Sequence, residues 1–155
     1  MTIFCDTNIV MEYLQQRTYA AQVGMILNHS LQNGDTLFIS AGSFYTITYL
    51  TERYLKLDQS LTKEDRIARL RHILNGVLGT FKVADLYASS LSHGVNDLSF
   101  VDLEDSYQAH IAEDVGCDVL LTINERHFSR FAVESEIRIM TPNAFIDAYI
   151  AKSDD

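Results

Sequence analysis

Residues 3–14 read Ile3-Phe4-Cys5-Asp6-Thr7-Asn8-Ile9-Val10-Met11-Glu12-Tyr13-Leu14. A short β-prone apolar run stops abruptly at a carboxylate. The apolar residues Ile9, Val10, Tyr13 and Leu14 then recur at the spacing of one helical face. A buried strand running directly into an amphipathic helix is the opening of an alternating strand–helix chain, the pattern that builds parallel sheets.

The alternation continues outward from this stretch. Val23, Ile26, Leu27 and Leu31 form the stripe of a second helix, which Asn33-Gly34 stops. Residues 36–39 read as the next strand, and 40–42 turn the chain into a helix carrying Phe44, Ile47, Tyr49 and Leu50. Thr62 and Asp65 have the spacing of a capping box. The helix behind them carries Ile67, Leu70, Ile73, Leu74, Val77 and Leu78 and stops at Gly79. Residues 80–84 make a third strand, with Phe81 and Val83 on one face. Asp85 caps a short helix that His93-Gly94 ends. Asp102 begins another helix, with Tyr107 and Ile111 inward and Gly116 as its stop. Residues 118–123 are a nearly continuous apolar strand, and 137–140 are the last. Thr141-Pro142 is an N-cap followed by proline at the first helical position, and Phe145, Ile146 and Tyr149 form the closing face. The expected architecture is α/β: one domain over 1–151 with a central parallel sheet covered on both faces, and a short flexible tail at 152–155.

The chain has 155 residues, 47% hydrophobic and 21% charged, enough for one core without disulfides or a structural metal. No stretch approaches the ~18 consecutive apolar residues of a membrane span, and no charged start leads into an apolar signal. A soluble cytoplasmic protein is expected. Twelve basic against 21 acidic residues leave a net charge of −9. That excludes nucleic-acid binding through a broad basic face, which needs Lys and Arg to neutralise phosphates. It leaves room for a nucleic-acid enzyme whose acidic site is neutralised by metal ions. Cys5 and Cys117 lack CxxC spacing and read as buried, reduced thiols.

Ligands of open parallel sheets bind beyond the carboxyl ends of the strands. Asp6-Thr7-Asn8 follows the first strand. Ser40, and Thr46 a turn or so later, follow the second. Thr122-Ile123-Asn124-Glu125 follows the fourth, and the helix before it opens with Asp102-Leu103-Glu104-Asp105. Carboxylates converging without Lys or Arg repel one another. A divalent cation such as Mg²⁺, which prefers hard oxygen ligands, resolves the repulsion. Simpler readings stand beside this one. Asp6, Asn124 and the pair Asp102 and Asp105 also suit helix caps. Glu12 suits a solvated or salt-bridged position. His29, His72, His93, His110 and His127 show no paired ligand spacing and read as surface or satisfied core residues.

Five blocks, in order along the chain, resemble the PIN-domain family, in particular the branch of VapC-type toxin ribonucleases of toxin–antitoxin pairs. They are residues 3–14, Phe38-Ile39-Ser40-Ala41, Asp102-Leu103-Glu104-Asp105-Ser106-Tyr107-Gln108-Ala109, Cys117-Asp118-Val119-Leu120-Leu121-Thr122-Ile123-Asn124, and Ile139-Met140-Thr141-Pro142. The resemblance implies a three-layer α/β/α sandwich and an endoribonuclease in which up to four acids hold Mg²⁺ or Mn²⁺. Asp6 matches the first acid and Asp105 the third, and these two are the metal ligands and catalytic residues it implies. Thr46 stands where the second acid is usual and Asn124 where the fourth is, with Asp102 and Glu104 available to compensate. Thr122 and Asn124 would orient water or an Asp carboxylate, and Asn8 would hold the loop that carries Asp6. Arg53, Lys56, Arg126 and Arg130 are candidates to guide an RNA backbone. The implied partners are an RNA substrate, an antitoxin protein and a second copy in a homodimer, for which Phe44, Tyr45, Tyr49 and Tyr54 are spare apolar residues. The two neutral positions keep a second reading open, a catalytically silent PIN-like binding module. A phosphatase of small phosphoesters would need an Asp two residues after Asp6, where Asn8 stands.

Overall fold

The computed structural model describes residues 1–151; the expected tail, 152–155, lies outside the described residues. Five strands, β1 (Thr2–Cys5), β2 (Thr36–Ser40), β3 (Lys82–Ala84), β4 (Val119–Leu121) and β5 (Arg138–Met140), form one sheet in the order β3-β2-β1-β4-β5. Every neighbouring pair is parallel. Ile3 sits beside Leu37 and Val119, and Phe4 beside Phe38 and Leu120.

This register separates two cores, because successive side chains of a strand point to opposite faces. Ile3, Cys5, Leu37, Ile39, Val119 and Leu121 enter one core. It is closed by α1 (Thr7–Leu14), α2 (Ala20–Gln32), α3 (Ala41–Leu55), α4 (Lys63–Thr80) and α8 (Pro142–Phe145), through residues such as Ile9, Ile26, Ile47, Val77 and Phe145. Phe4 and Leu120 enter the other, with Ala109 and Ala112 of α6 (Leu103–Val115), Phe131 of α7 (Phe131–Glu134) and Phe128 of the 3₁₀ turn Glu125–Phe128. α5 (Ala88–Asn96) packs on α6. Strands buried on both faces read as unbroken apolar runs, which is why 3–5 and 119–121 carry no alternation. The three layers, the parallel sheet and the five expected strands are all present.

Local signals set most helix starts. Thr62 and Asp65 form the reciprocal capping box, Ser40 and Thr141 cap α3 and α8 with their hydroxyls, and Gly116 ends α6 in the left-handed conformation at φ 70°. Cys5 and Cys117 are free and buried, and burial pushes both thiols up, Cys117 to about 12.

Other expectations are corrected. The buried face of α2 runs through Val23, Ile26 and Ser30, so Leu31, one position and about 100° further round, is 55% exposed. Tyr49 points outward for the same reason, since Ser43, Ile47 and Thr51 face the core. α4 continues through Gly79 to Thr80. Asp85 caps nothing: α5 begins at Ala88. Gly94 does not stop α5. It is buried in the helix, where an added Cβ would come within 2.6 Å of the Tyr107 ring. Glu12 is not solvated: it is buried and accepts the Tyr19 backbone N–H at 2.8 Å, tying α1 to the turn before α2.

Candidate metal site at the sheet switch point

The chain lays β1, β2 and β3 outward in one direction and then returns to the far side of β1 for β4 and β5. The order therefore reverses between β1 and β4, and a crevice opens beyond the carboxyl ends of those two strands. Asp6 follows β1 and Thr122 follows β4. The Asp6 backbone N–H continues the ladder to the Leu121 carbonyl at 3.0 Å, and the Thr122 hydroxyl donates to Asp6 Oδ2 at 3.0 Å. The same hydroxyl accepts the Asn124 backbone N–H at 3.0 Å, which directs its own proton toward the carboxylate.

Asp6 occupies the N-cap position of α1, yet its side chain makes no capping bond. The neighbouring strand end offers a hydroxyl instead, so Asp6 holds the cap position of α1 without a side-chain cap bond. Asp102 does cap: its Oδ1 accepts from the Glu104 and Asp105 backbone N–H groups at 2.9 and 3.3 Å. Asn124 precedes the 3₁₀ turn but its side chain caps nothing. Its contribution is the backbone N–H to Thr122. Asn8 makes no side-chain hydrogen bond among the described residues, so the loop carrying Asp6 is held by Thr122 and the β4 ladder.

Asp6 is 2% exposed, and its carboxyl is pushed up to about 7. Burial is the largest cause and the charge of Asp105 the next; hydrogen bonds from Thr122 and Thr7 oppose them, and Glu104 adds a further repulsion. Asp105, in the first turn of α6, is also buried, and its carboxyl is raised, chiefly by burial, against the pull of a hydrogen bond from His127. His127 Nδ1 lies 2.6 Å from Asp105 Oδ2.

A second network joins the helix starts beside these carboxylates. Gln108 Nε2 donates to Ser43 Oγ at 2.6 Å and Thr7 Oγ1 at 3.1 Å, and Ser40 Oγ donates to Ser43 Oγ at 2.9 Å. Ser43, already accepting twice, gives its own proton to Thr7 at 2.8 Å, and Thr7 gives its proton to Glu104 Oε1 at 3.4 Å. This relay ties the starts of α1 and α3 to α6 and aims a donor at Glu104. Thr46 is half-buried and shares a cleft of about 140 Å³ with Ser43, Glu104 and Gln108. Glu104 therefore faces the position where the resemblance places the second acid.

The donor type at the crevice is carboxylate oxygen, the type hard divalent cations prefer. Asp6 and Asp105 interact electrostatically across the crevice, and neither contacts a Lys or Arg among the described residues. No three His, Cys, Asp or Glu of the described residues gather closely enough to complete a coordination shell alone. Mg²⁺ does not require that, since it usually keeps several waters and takes one or two carboxylates.

His127, read from the sequence as a surface or satisfied core residue, and Gln108 were not among the expected site residues. Gln108 had a signal: it lies three positions after Asp105 and on the buried side of α6 with Ile111 and Ala112, where a polar residue needs partners. His127 had none, because Asp105 is 22 residues away along the chain. Of the expected backbone-guiding cations, Arg53 lies over the Tyr49 ring and Lys56 pairs with Glu52 at 3.0 Å. Arg126 and Arg130 instead line a groove beside His127.

The sequence matches no family model and no curated protein. Solved structures share its fold. A chain of VapBC2 from Rickettsia felis, bound to a DNA fragment from its promoter, superposes with a TM-score of 0.66 at 16% identity, over 91% of this chain and 98% of that one. VapBC-1 from nontypeable Haemophilus influenzae gives 0.60 at 17%, over 92% and 99%. FitAcB from Neisseria gonorrhoeae gives 0.57 at 19%, over 90% and 97%. At these identities the likeness is one of fold: the chain shares the three-layer, PIN-like α/β/α fold of these solved chains.

Proposed function

We propose that this protein is a divalent-metal-dependent endoribonuclease, the toxin of a toxin–antitoxin pair. The observation that carries the reading is the meeting of Asp6 and Asp105 at the switch point, with Asp6 pushed up to about 7 partly by the charge of Asp105. Buried carboxylates that repel each other hold a standing demand for positive charge. Asp6 and Asp105 are the residues that would hold Mg²⁺ or Mn²⁺. Such an ion supplies Lewis-acid polarisation of a phosphoryl oxygen and activation of a water.

The chain's own groups do the positioning. Thr122 fixes the Asp6 carboxylate through Oδ2. His127 does the same for Asp105 through Oδ2. Asp102 holds the first turn of α6 so that Asp105 projects from a rigid helix start. Glu104, supplied with a donor by Thr7, adds negative charge near Thr46, where no acid stands. The VapBC and FitAcB likeness supports an antitoxin protein as partner. The exposed Tyr45, Tyr49 and Tyr54 of α3 support a homodimer, whereas Phe44 packs against the core. No described helix is long and apolar enough to cross a membrane.

The test is cleavage of single-stranded RNA by wild type and Asp6→Asn, with and without chelator, alongside Mn²⁺ affinity by calorimetry. Asn keeps the size and the oxygen that accepts from Thr122 but loses the charge that attracts a hard cation. Cleavage is expected to fall at least about 100-fold and Mn²⁺ binding to weaken at least about tenfold. Wild-type cleavage that survives both chelation and the substitution ends the reading.

A further inference from the structure

Next to the carboxylates lies a groove of about 500 Å³, lined by Leu98, Val101, Asp102, Arg126, His127 and Arg130 among others. It shares two residues with the site: Asp102 caps the helix that carries Asp105, and His127 touches Asp105 directly. Its volume lies within the range of small-ligand pockets, enough for a nucleotide-sized group.

The groove carries free positive charge beside the carboxylates of the site. The chain is acidic, at −9. Several of its cations are engaged: Arg53 on Tyr49, Lys56 on Glu52, Lys82 over Phe38, Arg138 over Tyr149 and Arg66 on the Leu61 carbonyl. Arg126 and Arg130 are exposed, four residues apart, and neither guanidinium has a hydrogen-bond or ion-pair partner among the described residues. The carboxylate of Asp102, in the same groove, is occupied by the two N–H groups of α6. Two unpaired guanidiniums beside a cluster of carboxylates offer the fork geometry that matches phosphate oxygens. In the same groove the loop before α6 presents Leu98 and Val101, 92% and 104% exposed, a bare aliphatic edge against which the flat face of a base can rest.

We infer that this groove is the track for the RNA strand on the Asp105 side of the site, with Arg126 and Arg130 gripping phosphates that flank the scissile one and Leu98 and Val101 contacting a base. The inference rests on the nuclease reading for its choice of ligand. It accounts for how a protein of net charge −9 approaches a polyanion at this site: a pair of arginines at the edge attracts the strand, and a metal ion would serve the carboxylates. Two arginines fit a single strand better than a duplex, whose binding draws on more phosphate contacts.

The experiment measures binding of a labelled single-stranded RNA of about twelve nucleotides to the Asp6→Asn protein, which removes cleavage from the assay, as a function of salt. Arg126→Gln/Arg130→Gln is expected to weaken binding roughly tenfold or more and to flatten the dependence of log affinity on log salt by about 1.4, at about 0.7 for each phosphate no longer neutralised. Arg126→Lys/Arg130→Lys is expected to keep most of the slope. Both arginines are exposed, so the thermal midpoint serves as the folding control. Unchanged affinity and slope in the Gln pair overturns the inference, as does failure of the parent to bind RNA. Displacement of the RNA by polyglutamate at equal charge overturns it too, in favour of an acidic peptide. The two readings fail separately. Arginine-dependent binding with no cleavage by wild type removes the nuclease and keeps the groove. Metal-dependent cleavage with arginine-independent binding removes the groove and keeps the nuclease.

Discussion

At the scale of single residues, Asp6 carries a pH signature. Its carboxyl ordinarily ionises near 3.8, and in the fold it is held up to about 7. Between those values the folded protein keeps a proton that the unfolded chain has released, so this group's contribution to stability is present at low pH and declines as pH rises through the window. The thermal midpoint of the chelated protein should therefore fall between about pH 4 and about pH 7, and fall less in Asp6→Asn, which cannot ionise. At the alkaline end the variant should melt a few degrees above wild type. Parallel slopes for the two proteins would show that Asp6 carries no such strain. Thr46 and Glu104 set a second residue-scale expectation. Thr46→Glu would place a carboxylate across a small cleft from Glu104. It should tighten Mn²⁺ binding and lower the midpoint of the metal-free protein, whereas Thr46→Gln, of similar size, should do neither. Calorimetric titration and melts of the two variants check this. Asp6 and Asp105 were legible in the sequence because carboxylates at a strand end and a helix start follow from local pattern. The hydrogen bond of His127 to Asp105 was not, because no local pattern relates two residues 22 positions apart.

At the scale of elements, the placing of α6 decides the site, since it carries Asp105, Glu104 and Gln108. α5 holds it by close approach. Ser106 donates to the Gly94 carbonyl at 2.9 Å, Ser90 donates to Asp114, and the Tyr107 ring fills the space that a side chain at Gly94 would occupy. Gly94→Ala should force Tyr107 or the whole of α6 to shift, at a cost of about 1–3 kcal/mol. The shift would pass to Asp105 and Gln108, close to Tyr107 on the same helix, so Mn²⁺ affinity should weaken along with stability. Gly76→Ala in α4 has no atom within 4 Å of the added methyl and should be neutral or slightly stabilising. Chemical denaturation of both variants tests the contrast; equal stability would mean that α5 does not set the position of α6. Gly94 shows why helix ends are less legible than helix existence. A glycine after a histidine looks like a stop, and only the partner helix reveals that its missing side chain admits a neighbour.

At the scale of the whole molecule, the apolar surface is uneven. α3 turns Ser43, Ile47 and Thr51 to the sheet and leaves Tyr45, Tyr49 and Tyr54 at 79%, 58% and 46% exposure, with Leu57 beyond them at 77%. Tyr45 and Tyr49, four residues apart, share one exposed face of α3, and exposed aromatic residues so paired suit an association surface. Light scattering at high concentration should report a dimer, and Tyr45→Glu with Tyr49→Glu should return it to a monomer without lowering the thermal midpoint of the monomeric unit by more than about 2 °C. A monomeric wild type at high concentration refutes the dimer.

Periodicity, caps and apolar runs in the sequence determined the class of fold, because those signals act over a turn or a strand and each points to the same alternation of strand and helix. They determined as well that Asp6, Asp102, Glu104, Asp105, Thr122 and Asn124 lie near strand and helix ends. Only the tertiary structure decided what each does there. The strand order placed β4 beside β1, and that neighbour supplied the Thr122 hydroxyl that holds the Asp6 carboxylate. It brought His127 onto Asp105, built the relay of Ser40, Ser43, Thr7 and Gln108, and left Arg126 and Arg130 unpaired at the edge of the crevice. The physical reason is one of range: capping and amphipathicity depend on residues a few positions apart, whereas burial, repulsion between carboxylates and hydrogen bonds across a sheet depend on which distant segments the fold makes neighbours.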